Sequence, residues 1–570
     1  MTPARTITAF AAATLITGLF TACASNPSNP TPTAALPQGA GVDLASIRHP
    51  DEESPAGWYR AGAAQAAARG AMSGRARNVI VFIGDGMSMT TVTAARIMEG
   101  QRAGGRGEEN RLAWDHFPAT ALSRTYNTDA QTPDSAGTMS AIATGVKTHM
   151  GAISVYAGNT TDCADSMGKH AQTWLELADA AGMSTGVVTT SRVTHATPAA
   201  TYAHTPNRRW ENDATIPEAA RAQGCRDIAS QLIAATGNGH GPSIILGGGR
   251  KEFLTTEQTD PSSPDKRGLR TDGRDLITEW RQAHAGGAYV TTAAELASAA
   301  NAPAVLGLFN YSHMAFNHDR IAEGGIEPSL AEMTRAAIRH LARNENGYVL
   351  LVEAARIDMA HHEGNAFRAL DETIELSNAV RIALEMTSPD DTLIMVTADH
   401  SHTLTMAGYT VRGNPILGTV RAPGKPKPTL DLAGLPFTTL GYANGPGNTG
   451  ASEIQVAGSK RFPHYPKHQT AAPAGRPDLS QVDTTRPEYM QEALVPLSSE
   501  THSGEDVGVW AIGPGSAAVR GSLEQNALYH IIVQATPRLR DTLCAKGWCD
   551  GNGVPVTLPR LEAFSSRPTR

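Results

Sequence analysis

Acidic residues and histidines gather at three points of this 570-residue sequence where an apolar run stops. Asp85 lies in Gly84-Asp85-Gly86, directly after the run 78–83. Asp399, His400 and His402 follow the run 392–396. Glu353 closes the run 348–352 and leads into Asp358, His361 and His362. Asp358 and His362 are four apart and would share one face of a helix. A single Asp after a strand is ordinarily a helix cap. Three such ends, with D-x-x-x-H and D-H-x-H among them, supply the oxygen and nitrogen donors that Zn²⁺ together with Mg²⁺ requires. A nucleophile is also present. Ser135, in Asp134-Ser135-Ala136-Gly137, precedes a small-residue helix, and a helix N-terminus favours an anion such as phosphate. A hydroxyl needs activation near neutral pH; the sequence has no G-x-S-x-G elbow, which leaves the metal cluster as activator.

These residues need a scaffold that brings strand ends to one edge. Runs at 78–83, 186–190, 243–246, 305–309, 348–352, 392–396 and 507–512 are short, rich in β-branched residues and nearly continuous in apolar character. That suits strands buried on both faces. Helical patterns at 172–181, 330–343 and 365–384 lie between them. The expected fold class is α/β, a large mostly parallel central sheet flanked by helices, with ligands bound beyond the carboxyl ends of the strands. The stretch 407–496, rich in Gly, Pro, Thr and basic residues, reads as an inserted subdomain that caps or flanks the core.

The ends of the chain bear on compartment. Residues 7–20 form an apolar run after Arg5, too short to span a bilayer, so 1–22 reads as a signal peptide. The run closes on Leu19-Phe20-Thr21-Ala22-Cys23, similar to a lipobox with Phe20 in the usual Leu position. Cys23 is the expected lipidation site, 23–45 a tether, and 46–406 with 497–570 the core. Any membrane association would come through that anchor. Cys163, Cys225, Cys544 and Cys549 are an even number in an exported chain, which suggests two disulfides. Of three pairings, 163–225 with 544–549 is the simplest. The expected location is the bacterial cell envelope or outside the cell. With 48 Lys+Arg against 55 Asp+Glu and no dense basic block, the chain is a poor nucleic-acid binder.

Taken together, several blocks resemble the alkaline phosphatase family: NVIVFIGDGM (78–87), TPDSAGTMSAIATGVKT (132–148), VTTSRVTHATPAATYAH (188–204), NRRW (207–210), VEAARIDMAHHEGN (352–365), VTADHSH (396–402) and ETHSGEDV (500–507). The resemblance implies hydrolysis of phosphate monoesters at a centre of two Zn²⁺ and one Mg²⁺. It implies that Ser135 becomes phosphorylated and that Arg208 clamps the phosphate, with Arg209 the alternative by a register slip. It implies Asp358, His362 and His502 around the first zinc, and Asp85, Asp399 and His400 around the second. Asp85, Thr197 and Glu353 match the magnesium site, and His195 a position near the metals that is Asp or His among relatives. His361 and His402 are candidates for the surrounding shell. Met359 stands where relatives carry Lys or His, a departure expected to alter phosphate affinity and rate. The cysteine pairs also look like those of the animal members.

Two other readings compete. A phosphodiesterase of the same superfamily would lack the Thr197, Glu353 and Arg208 set. A lipid-tethered binding protein without activity would have lost a ligand, and none is missing. A sulfatase needs a C-x-P-x-R cysteine, whereas Cys163 is followed by Ala-Asp-Ser. A homodimer is left open, as is the physiological substrate.

Overall fold

Strand Asn78–Gly84 shows how the sequence builds the core. Its apolar residues alternate between two layers: Val79, Val81 and Ile83 pack with Ile531 and Ile532 on one side of the sheet. Ile80 and Phe82 pack with Leu376 and Val380 on the other. Each side chain so buried stabilises the fold by about 1.5–3 kcal/mol. A charged residue at any of these positions would leave an unpaired group with no water. The computed structural model describes residues 53–156, 162–237, 240–448, 460–461 and 476–563. Residues 1–22 and 23–45, expected to be a signal peptide and a tether, lie outside the described residues, and Cys23 with them.

Ten strands form the main sheet, in the spatial order Arg520–Glu524, Ala119–Arg124, Val507–Ile512, Thr392–Thr397, Asn78–Gly84, Tyr348–Ala354, Ser184–Arg192, Ile244–Gly248, Val305–Leu308 and Ala288–Val290. Nine run the same way. Val507–Ile512 alone opposes both of its neighbours. Asn78–Gly84 sits between Thr392–Thr397 and Tyr348–Ala354, parallel to both, so the three strand ends that carry Asp85, Asp399 and Glu353 emerge side by side. The seven apolar runs of the sequence are all strands here. Three further strands escape that pattern for physical reasons. Ala119–Arg124 alternates buried and exposed residues, Arg520–Glu524 is a charged edge strand, and Ala288–Val290 is a three-residue edge.

The helices cover both faces, as short parallel crossovers require. Trp174–Ala180 begins on a Thr173–Glu176 capping box and Leu330–Leu341 on a Ser329–Glu332 box. Among the described residues no helix is long and apolar enough to cross a membrane. Within 407–496, Leu440–Gly445 pairs with Leu404–Met406 and with Ala493–Pro496 in a small sheet. Leu404, Leu440 and Tyr442 pack against Ile97, Met98 and Leu370 of two core helices, so this segment shares a hydrophobic cluster with the core. Cys163 is bonded to Cys225 and Cys544 to Cys549.

Candidate active site and metal centre

Ser135 is the first residue of the helix Ser135–Thr144, all of whose side chains are buried. Asp134 caps it, accepting from the Gly137 N–H at 3.0 Å. Gly137 is required by space: a Cβ there would lie 2.2 Å from Asn127 Nδ2, and Asn127 Oδ1 accepts from the Asp134 N–H at 3.0 Å. The Asp134 carboxylate also receives Arg208 Nη1 at 3.0 Å, and Arg208 Nη2 lies 3.2 Å from His195 Nε2. Burial pushes the Asp134 carboxyl up, but Arg208 and the backbone donors outweigh it and hold it below the ordinary value. Arg208 is thereby held beside Asp134 and Ser135, whereas Arg209 is exposed. The geometry favours Arg208 over its neighbour.

Ser135 Oγ lies 3.0 Å from His400 Nε2. The same nitrogen is 3.4 Å from Asp85 Oδ1 and 3.3 Å from Asp399 Oδ2, so hydroxyl, imidazole and two carboxylates converge on one point. Asp85 is fully buried, and neither of its oxygens receives a hydrogen bond. Asp399 accepts from the Gly86 N–H at 3.1 Å. Gly86 has a positive φ of 67°, and a Cβ there would meet the His402 ring at 2.3 Å. Asp85, His195 and Glu353 bring one ligand atom each within 4.8 Å of the others. Thr197 is buried on the short helix Ala196–Ala199 that follows His195, and Thr189 and Ser191 donate to the second oxygen of Glu353. A buried carboxylate with no donor is costly unless paired with positive charge. The orphaned Asp85 oxygens are therefore an observation that fits metal ions at this point.

Burial, together with the neighbouring acids, raises the Asp85 and Asp399 carboxyls, and burial brings Glu353 up to about 7. A sign follows for the chelated protein. Folded Glu353 keeps its proton to about pH 7, whereas an unfolded glutamate loses it near 4.3. The folded state binds more protons in that window, so stability is full below about pH 4.3 and falls as pH rises through 7. Chelated protein should melt lower at pH 8 than at pH 5.5 by calorimetry, and the Glu353→Gln variant should lose part of that slope. A melting point that rises between these pH values would contradict it.

The second cluster is Asp358, His362, His402 and His502, with ligand atoms again within 4.8 Å. Helix Arg356–His362 puts Asp358 and His362 one turn apart, and His362 Nε2 lies 3.4 Å from Asp358 Oδ1. His502 Nε2 is 3.3 Å from the same oxygen and 3.2 Å from His362 Nε2. Backbone carbonyls fix both rings: His362 Nδ1 donates to Glu500 O at 2.6 Å and His502 Nδ1 to Pro133 O at 2.8 Å. Each Nε2 is then left with its lone pair facing the cluster. Burial disfavours charge on His362 and on His400, and lowers both.

His361 points elsewhere. It is buried between Thr91 Oγ1 at 3.0 Å and the Tyr442 hydroxyl at 2.8 Å, so the inserted segment reaches under the helix Arg356–His362. His402 sits between Asp358 and Glu500. Burial opposes its charge, yet Glu500 and Asp358 prevail and push it up to about 10. Met359 packs against Phe316 and the Arg356 guanidinium and brings no donor toward Arg208. Glu500 and Tyr442 were not singled out by the sequence reading. Glu500 stands two residues before His502 and so on the same side of an extended chain, the one signal that could have found it.

A parallel-sheet core that carries buried, cation-demanding carboxylates at adjacent strand ends defines the class: a metal-dependent enzyme. A family model described as alkaline phosphatase matches residues 76–537. The chain is 44% identical over 469 residues to the tissue-nonspecific alkaline phosphatase isozyme of Gallus gallus, covering 81% of this chain and 84% of that one. Against the Homo sapiens isozyme the identity is 42% over 470 residues, with 81% and 83% covered. The Thermus thermophilus alkaline phosphatase structure shares the fold at a TM-score of 0.56 and 23% identity, covering 83% of this chain and 96% of that one. The enzyme of the Antarctic bacterium TAB5 does so at 0.53 and 20%, covering 81% and 98%. The chain belongs to the alkaline phosphatase family, whose members are metal-dependent phosphomonoester hydrolases.

Proposed function

We propose that this alkaline phosphatase acts through a phosphoserine on Ser135, at a centre of two Zn²⁺ and one Mg²⁺. Asp358, His362 and His502 would hold one zinc, and Asp85, Asp399 and His400 the other. Asp85, Thr197 and Glu353 would hold magnesium, with His195 beside them. The observation that carries this reading is Ser135 Oγ at 3.0 Å from His400 Nε2, whose ring also approaches Asp85, a buried carboxylate with no hydrogen-bond donor. When bound, the metal ions supply the positive charge a phosphate dianion demands and lower the pKa of the attacking hydroxyl and water.

The chain's own residues do the rest. Arg208 turns its fork from Asp134 onto two phosphate oxygens, a bidentate pairing suited to guanidinium. Ser135 attacks in line and takes the phosphoryl group at the positive end of its helix. The ester P–O bond breaks as the serine P–O bond forms, and the alcohol leaves carrying the proton given up by the Ser135 hydroxyl; water then attacks the phosphorus of the phosphoserine, the serine P–O bond breaks, and Ser135 regains a proton as inorganic phosphate is released. Two displacements give net retention at phosphorus, which a chiral phosphate monoester would register; inversion would contradict the covalent step. Magnesium in a related site is supported by a TAB5 alkaline phosphatase mutant whose structure is described with Mg bound in the M3 site. The two disulfides support export to an oxidising compartment.

Arg208→Ala should lower kcat/KM for an aryl monoester about 10- to 100-fold, from the ~1.5–3 kcal/mol that a charged hydrogen bond is worth. Inhibition by inorganic phosphate should weaken in parallel, and Arg208→Lys should restore little. An unchanged phosphate inhibition constant would remove Arg208 from the role. The decisive experiment is steady-state hydrolysis of an aryl phosphate monoester and diester by chelated, then Zn²⁺/Mg²⁺-restored, protein. Monoester turnover should return and exceed that of the diester. A preference for the diester would favour the phosphodiesterase, and loss of both the binding protein.

A further inference from the structure

Asp85, Glu353 and Asp399 stand at strand ends of the main sheet, whereas Arg208 sits on a turn outside it. The backbone of that turn is tied elsewhere. Thr205 exchanges two hydrogen bonds with Ile153, and the Arg208 N–H donates to Gly151 O at 2.8 Å. The carbonyls of Trp210 and Glu211 accept from the N–H groups of Ile228 and Ala229. None of these four partners belongs to the sheet. Trp210 is buried with Cys163, Ile216 and Ala220, beside the disulfide to Cys225.

Glu211 carries the connection back to the sheet. Its carboxylate takes a bidentate fork from Arg192, the last residue of strand Ser184–Arg192: Nε donates at 2.7 Å and Nη2 at 2.6 Å. The Thr194 hydroxyl adds a third donor at 2.7 Å. Thr194 is buried and leads directly into His195. The two charged side chains are each only 14% exposed. A guanidinium fork on a carboxylate fixes angle as well as distance, which a point charge would not. We propose that Glu211 is a positioning residue: through Arg192 and Thr194 it holds the turn bearing Arg208 in register with the strand ends, so that the guanidinium meets the phosphate oxygens. This deepens the role given to Arg208 above and rests on it.

The sign of the effect separates positioning from charge. Glu211 is an anion, and on charge alone its removal would tighten the binding of a phosphate dianion. A turn released from its register weakens that binding. Glu211→Gln keeps the shape, but its amide N–H₂ must face at least one of the three donors. In the Zn²⁺/Mg²⁺-loaded full chain it should weaken inhibition by inorganic phosphate about 10-fold and lower kcat/KM for an aryl monoester similarly. That lies within the roughly 100-fold that a misplacement of about 1 Å can cost. Made in Arg208→Ala protein, the same substitution should change neither quantity, because the group it positions is gone. Arg192→Lys keeps the charge and loses the fork. It should show the same pattern at about 3-fold, the worth of one hydrogen bond, and serves as the test if Glu211→Gln does not fold. Phosphate inhibition that is unchanged or tighter in Glu211→Gln would overturn the proposal. Equal losses with and without Arg208 would also overturn it, leaving the ion pair as a brace for the fold. Arg208→Ala with unaltered phosphate inhibition would instead overturn the role of Arg208 itself, a distinct failure.

Discussion

Ser135→Ala should cost on the order of 10⁴- to 10⁶-fold in kcat, the range seen when a covalent nucleophile is deleted from a preorganised site. Its zinc content should stay near that of the unaltered protein. The two outcomes separate because Ser135 and the metal ligands come from different elements. Ser135 is held by its own helix, the Asp134 cap and the Asn127 contact. The carboxylates and imidazoles come from strand ends at residues 85, 353 and 399 and from the chain near 502. Removing one hydroxyl oxygen leaves those supports in place. The checks are single-turnover kinetics with an aryl monoester and metal analysis of the same preparation. Substantial residual monoesterase activity would remove Ser135 from the nucleophile's role, and loss of zinc would make it a ligand first.

Exhaustive chelation should have the largest effect on stability and abolish turnover. Asp85, Asp358, Asp399 and Glu353 are all buried, and only Asp358 is drawn well below its ordinary value, by histidines that outweigh its burial. Without cations the remaining acids must hold protons or repel one another. A ligand at a thousandfold excess over its Kd stabilises the folded state by about 4 kcal/mol per site, so filling the three proposed sites should raise the melting point markedly. Zn²⁺ followed by Mg²⁺ should restore both activity and melting point; Mg²⁺ alone should restore neither fully. Retention of full activity after chelation, with metal analysis confirming removal, would rule out the metal-assisted reaction.

The central strands were legible because burial on both faces leaves continuous apolar runs, as in residues 78–83. Ala119–Arg124 was not, since a half-exposed strand of small residues carries only a weak period-two signal. Asp85, Glu353 and Asp399 were legible because each stands at the end of a parallel strand, where such a sheet collects chemistry, whereas His502, Thr197 and Arg208 came only through the family resemblance. What holds those donors was not legible. Glu500 against His402, Tyr442 beneath His361 and Asp134 against Arg208 are contacts between residues 98, 81 and 74 positions apart. Nothing local in the chain marks such pairings, which exist only once the sheet has assembled. Thr403 pinning Glu500 is similarly invisible, because a threonine after D-H-x-H reads as ordinary strand.

The lone opposing strand, Val507–Ile512, has a consequence for how the enzyme is made. It wedges between Thr392–Thr397 and Ala119–Arg124, and the chain entering it carries His502, whose Nδ1 is anchored on Pro133 O, two residues before Ser135. A polypeptide leaving the ribosome or a translocon therefore holds Ser135 and most of the acidic cluster long before the last histidine arrives. Contacts of such long range close late in folding. In the proposed centre, the last ligand to leave the ribosome is therefore His502, so the site is complete only in a nearly finished chain.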